Sequence, residues 1–172
     1  NIYTKNGDDK NLNKIVVSSG ANGTKNLDAS IGDKYYNHSY YVGVNLFDTD
    51  GISAMNDESS TNDDDAYENK GFISNYKYSL NDNVYFNGSL RYSEALLNYD
   101  EGNSGRTDNN NSTEDTELSY SLKLSADIGN IKNSILYNYT GINRATKTYT
   151  NSAKNYYGYR DSINFLGEYN FN

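Results

Sequence analysis

The sequence predicts an all-β chain: an antiparallel meander of about eight strands, built as the wall of a transmembrane β-barrel. Three observations carry this. The stretch "TELSYSLKLSADIGNIKNSILYNYTG" (116–141) alternates apolar and polar residues almost without a break, and a period of two puts successive side chains on opposite faces of a sheet. The strands so defined run to about ten residues, whereas strands of globular proteins have a mode of about 5 to 6. The connections alternate between short and long, as in outer-membrane barrels with short periplasmic turns and long outer loops.

In chain order, strands are expected at 12–20, 26–32, 38–50, 68–80, 84–98, 115–128, 131–145 and 157–171. The third to fifth carry outward apolar parities at Tyr40, Val42, Val44 and Leu46, at Phe72, Tyr76, Tyr78 and Leu80, and at Val84, Phe86, Leu90 and Tyr92. Opposite parities carry Asn45, Asn75, Lys77, Asn87, Ser89 and Arg91. In the sixth, Leu118, Tyr120, Leu122, Leu124, Ala126 and Ile128 share one parity against Ser119, Ser121, Lys123, Ser125 and Asp127. Gly129-Asn130 supplies a two-residue turn that tolerates positive φ. The apolar parity resumes at Ile131, Ile135, Tyr137 and Tyr139, and in the last strand at Ile163, Phe165, Tyr169 and Phe171, opposite Asn164 and Glu168. None of these segments offers the i, i+3, i+4, i+7 apolar spacing of a helix.

"GDKYYN", "NDN" and "GN" read as short turns, and "GISAMNDESSTNDDDAY", "YDEGNSGRTDNNNST" and "TKTYTNSAKNYY" as long loops. Mean hydropathy of −0.92 is no objection, because only every second strand residue would meet lipid. Tyr36, Tyr40, Tyr78, Tyr85, Tyr120 and Tyr169, near expected strand ends, would form aromatic girdles.

Composition excludes several functions. The 172 residues include no Cys and no Pro, which removes disulfides, thiolate metal sites and cysteine nucleophiles. A net charge of −8 argues against nucleic acid, whose phosphates demand a basic face. No run approaches the roughly 18 apolar residues of a transmembrane helix. His38 is the single histidine, with no second ligand to make a zinc site and no nucleophile placed for a triad. No enzymatic activity is expected.

Six carboxylates, Asp57, Glu58, Asp63, Asp64, Asp65 and Glu68, gather within residues 57–68, and Asp100, Glu101 and Asp115 lie in or beside the next long loop. Oxygen ligands of this kind suit Ca²⁺, which takes about six to eight; solvated acidic loops are the plainer reading.

Short motifs carry a resemblance to a known family. "NIYTKNG" (1–7) resembles the plug-to-barrel junction of TonB-dependent outer-membrane transporters. "FDTDGISAMN" (47–56), "NDDDAYENKGF" (62–72), "NYDEGNSG" (98–105) and "EDTELSYS" (114–121) resemble the early barrel of the cobalamin-receptor branch. The resemblance implies that residues 1–11 end a plug domain and 12–172 form a barrel segment, about eight strands of about 22. With no Met at its start, the chain is expected to have lost its natural beginning. The implied function is uptake of cobalamin or a ferric siderophore across the outer membrane, driven through TonB contacting the missing plug region. By motif position, calcium would fall to Asp63, Asp65, Asp100 and Asp115, with Tyr99 near the ligand. Ser53 stands where that branch is acidic, a departure that counts against at least one of the implied ion sites. The other reading is a complete eight-stranded barrel acting as anchor or adhesin, since "INFLGEYNFN" also resembles the C-terminal insertion signal of small barrels.

Overall fold

A computed structural model describes residues 5, 7, 12–53, 64–100, 111–148 and 153–169. Eight strands follow one another along the chain: β1 (Lys14–Ser19), β2 (Lys25–Tyr35), β3 (His38–Thr49), β4 (Tyr67–Ser79), β5 (Val84–Tyr99), β6 (Asn111–Ile128), β7 (Ile131–Lys147) and β8 (Ala153–Tyr169). They form one sheet in the order β1 to β8, every pair antiparallel. Among the described residues β1 and β8 each pair on one side only.

The register settles which residues share a face. Val44 lies opposite Phe72, Phe72 opposite Tyr92 and Tyr92 opposite Leu118. Leu122 lies opposite Tyr137, and Tyr137 opposite Ile163. Toward the other edge, Val44 meets Ala29 and Ala29 meets Ile15. One apolar face therefore runs unbroken across all eight strands, made of the parities the sequence alternation marks. The opposite face carries Asn45, Asn75, Ser89, Ser121 and Asn138, with Ser89 Oγ and Ser121 Oγ 2.7 Å apart across the β5–β6 ladder.

Burial is reversed relative to a water-soluble core. The apolar face is open, with Ile15 76% and Phe165 73% exposed, whereas Leu12, Ser39, Asn75, Asn111 and Ser125 are buried, all on the polar side. A sheet that crowds side chains on one face and spreads them on the other curves toward the crowded face, so the polar face is the concave one.

Residues 5, 7 and 12 lie against that concave face. Asn75 Nδ2 donates to the Lys5 carbonyl at 2.6 Å. A Cβ on Gly7 would run into the carbonyl oxygen of Asp33 and the backbone nitrogen of Tyr40. Leu12 covers Gly32, where a Cβ would sit 2.8 Å from Leu12 Cδ1, and Ser30 Oγ donates to the Leu12 carbonyl at 2.7 Å.

Some expectations need correction. β2 continues to Tyr35, well past the expected end at 32. Gly32 is needed inside the strand to admit Leu12, and the turn shrinks to Tyr36-Asn37, with Tyr36 at φ 51°. The supposed long loop at 146–157 is mostly strand, since Thr146 pairs with Lys154 and Arg144 with Tyr156. Only 148–152 connect β7 to β8, so Lys147 and Lys154 are strand residues; the Thr and Tyr there suit a pleated surface. Tyr85 does not join an outward girdle. It lies on the concave face opposite Ser79 and Ser125, beneath the Lys77 ammonium at 5.3 Å.

Of the other girdle candidates, Tyr40, Tyr78 and Tyr169 lie toward the short-turn end, whereas Tyr120 stands in the middle of β6 opposite Leu90 and Tyr139, so the expectation fails there too. His38 Nδ1 and Tyr76 Oη lie 2.6 Å apart, and the His38 and Tyr78 ring centroids are 4.8 Å apart. At the long-loop end the same face turns charged, with Lys70 3.5 Å from Glu94 and Lys25 3.8 Å from Asp48.

Candidate functional site

The long-loop end of the concave face gathers Tyr67, Leu97, Tyr99, Thr113, Asp115 and Arg144 around one depression. Register builds it. Tyr67 lies opposite Leu97, Leu97 opposite Thr113 and Tyr99 opposite Asn111, while Asp115 faces Arg144 across the β6–β7 ladder. Arg144 Nε donates to Asp115 Oδ1 and Nη2 to Oδ2, both at 2.6 Å. This two-pronged contact is the strong form of a guanidinium–carboxylate pair. It holds the Asp115 carboxyl below the usual carboxylate range and raises the Arg144 guanidinium. Outward neighbours at this height include Glu94, Glu114, Thr116 and Asn143 beside Leu96 and Ala145, so the face is mostly polar here and the pair lies toward the edge of the apolar band.

The loop returning to β4 is tied to the same rim. Asp65 N donates to the Ile52 carbonyl at 3.4 Å, and Asn98 N to the Ala66 carbonyl at 2.9 Å. Gly51, at φ +76°, lies so close to the Asp65 carbonyl that no Cβ would fit. Since Tyr67 pairs with Leu97, these bonds bring the backbone of Asp65 alongside the end of β5, where Tyr99 and Asp100 follow.

Of the sequence-derived candidates, Asp65, Tyr99 and Asp100 thus share one part of the rim. Asp115 lines the same depression as Tyr99 but lower in it: its row is four residues down β6 from Asn111, the partner of Tyr99, or about 13 Å at strand rise. Its carboxylate is already held by Arg144. Asp63 lies outside the described residues. Among the described residues no three His, Cys, Asp or Glu side chains come together as a metal-holding group. A calcium site using Asp115 would have to displace the guanidinium.

Sequence reading missed Arg144 and Tyr67 here. A second set, Lys5, Lys14 and Arg91, lies lower on the concave face and was also not singled out. No protein-family model matches the chain, and no curated protein matches it closely enough to name a relative.

Proposed function

We propose that this chain is a sector of the wall of a TonB-dependent outer-membrane transporter that takes up a scarce ligand, cobalamin or a ferric siderophore, with the apolar face against lipid and the concave face toward the lumen. The observation that carries the reading is the approach to β1. The backbone of residues 5, 7 and 12 lies against the polar face, which is where a chain leaving a lumen-filling plug would run. The apolar span supports it as well. On β6 outward apolar residues run from Leu118 to Ile128, and ten residue steps at about 3.4 Å, tilted about 45°, cover about 25 Å, the height of an outer-membrane apolar band.

A closed eight-stranded anchor fits less well. Closure would set β1, six residues, against β8, seventeen, leaving most of the β8 edge unpaired. An eight-stranded barrel has an interior just wide enough for its own side chains, with no room for the extra backbone of residues 5 to 12.

Uptake of radiolabelled cobalamin and of ferric siderophores, in cells with and without TonB, tests the function. TonB-dependent accumulation that requires this protein is the expected result. Fractionation to the outer membrane without any TonB-dependent uptake would favour the anchor.

A further inference from the structure

A pocket of about 590 Å³ lies on the concave face of β1 to β5, away from the rim, and its charged lining is Lys5, Lys14, Arg91 and Asp28. The one carboxylate is already served by amides. Asn26 Nδ2 donates to Asp28 Oδ2 and Asn45 Nδ2 to Asp28 Oδ1, both at 2.7 Å. Among the described residues, the ammonium groups of Lys5 and Lys14 and the guanidinium of Arg91 have no ion-pair partner of their own. The whole chain is net −8, so a depression lined by three cations against one carboxylate, on which the Lys14 charge also acts, runs against its overall charge.

The excess continues across the sheet. Arg91 shares a cross-strand row with Ser119, Thr140 and Arg160. On β6 the concave positions from Ser119 to Ser125 hold Lys123 and no carboxylate. The anions on this face are Asp28 in the pocket, Glu117 beside Ser93 and one diagonal step from Arg91 with its Oε1 accepting from Ser119 Oγ at 3.1 Å, Asp115 with its arginine, and Asp127 and Glu168 near the short turn.

We propose that the Lys5–Lys14–Arg91 pocket binds a small multivalent anion, of the phosphate or polycarboxylate class. Arg91 supplies a planar fork suited to two oxygens of one such group, and the lysines supply point charges around it. Asn69 and Ser93 in the same lining add uncharged polar groups. Lining cations of this kind select anions in pores. The proposal rests on the lumen reading above, because only a lumen would keep this face wet inside a membrane.

The test is calorimetric titration of the detergent-solubilised protein at low salt with three probes: sodium pyrophosphate, sodium citrate and uncharged raffinose. Pyrophosphate, citrate or both should bind, raffinose should not, and added salt should weaken binding. Arg91→Gln and Lys14→Gln should each reduce affinity about tenfold, the scale of one lost charge-assisted contact. Arg91→Lys should recover part of the loss, and Lys132→Gln, on the same face but outside the pocket, should change nothing. A preference between the two anions assigns the class. Absence of anion binding in the wild type, or binding that survives both Gln variants, overturns the proposal. Its failure is separable from failure of the lumen reading, which is judged by assembly of face-specific arginine variants and needs no ligand.

Discussion

Asn75 grips the carbonyl of Lys5 at 2.6 Å, joining two residues seventy apart in the chain. Asn75 is buried and stands on the concave face of β4, so the contact holds the backbone ahead of β1 against that face. Nothing about β1 itself requires this approach; a strand beginning at Lys14 could be entered from either side.

Breaking that hold should free the segment without disturbing the sheet. Asn75→Leu leaves the Lys5 carbonyl unsatisfied, at about 1 to 3 kcal/mol. Gly7→Val drives a side chain into backbone atoms of Asp33 and Tyr40 that cannot give way. Both variants should show faster tryptic cleavage after Lys5, with β-sheet circular dichroism unchanged. Equal cleavage in wild type and variants would mean that the segment is not held there.

The two faces should respond oppositely to charge. Leu90→Arg and Leu122→Arg place a cation on the apolar face, at about 2 to 4 kcal/mol near a bilayer midplane. Ser89→Arg and Ser121→Arg lose the hydroxyl pair but project toward the polar face. Assembly into outer membranes, read as heat-modifiable migration on gels, should fail or fall sharply for the leucine variants and persist for the serine ones. Equal damage on both faces would argue for a two-sided soluble core.

Much of this was legible because the side-chain period of a strand is two, so parity alone sorted Leu122 from Ser121. The tight turn gave more than was taken from it. Asp115 is the fourteenth residue before Gly129 and Arg144 the fourteenth after Asn130, so a two-residue turn already sets them opposite each other. Tyr85 was misplaced by its residue type against its own parity, since Val84 and Phe86 on either side face outward. The strand limits at Gly32 and Thr146 failed for another reason: turn-forming and loop-like composition yielded to packing against Leu12 and to pairing with β8. The Lys5–Lys14–Arg91 pocket was beyond reach, because it depends on four successive registers and on a segment that belongs to no strand.

Orientation should show in lysine labelling. Lys154 pairs with Thr146 beside the 148–152 connection, whereas Lys34 pairs with Ser39 beside the Tyr36-Asn37 turn. A membrane-impermeant amine reagent applied to intact cells should modify Lys154 and spare Lys34, as peptide mass mapping would reveal. Modification of Lys34 with protection of Lys154 would invert the assigned sidedness.

The Asp115–Arg144 pair makes the rim sensitive to acid, in a direction that follows from its chemistry. The guanidinium holds the Asp115 carboxyl below its ordinary range, so the folded state binds this proton less readily than the unfolded chain, where the group titrates near about 3.9. Stability from the pair is therefore fully present above that value and is lost as pH falls through the lower folded value. Both side chains keep substantial exposure, 55% for Arg144 and 36% for Asp115, so solvent screening limits the contribution to about 0.2 to 1 kcal/mol, with the two-pronged geometry favouring the upper end. Arg144→Met should lower stability in urea at pH 6 by that amount and by less at pH 3, which lies below the unfolded-state value, where part of the contribution is already lost. Asp115→Asn should behave alike, and the double variant should lose no more than either single one. A wild-type minus Arg144→Met difference that stays constant from pH 6 to pH 3 would show that the guanidinium acts through packing and not through its charge on Asp115.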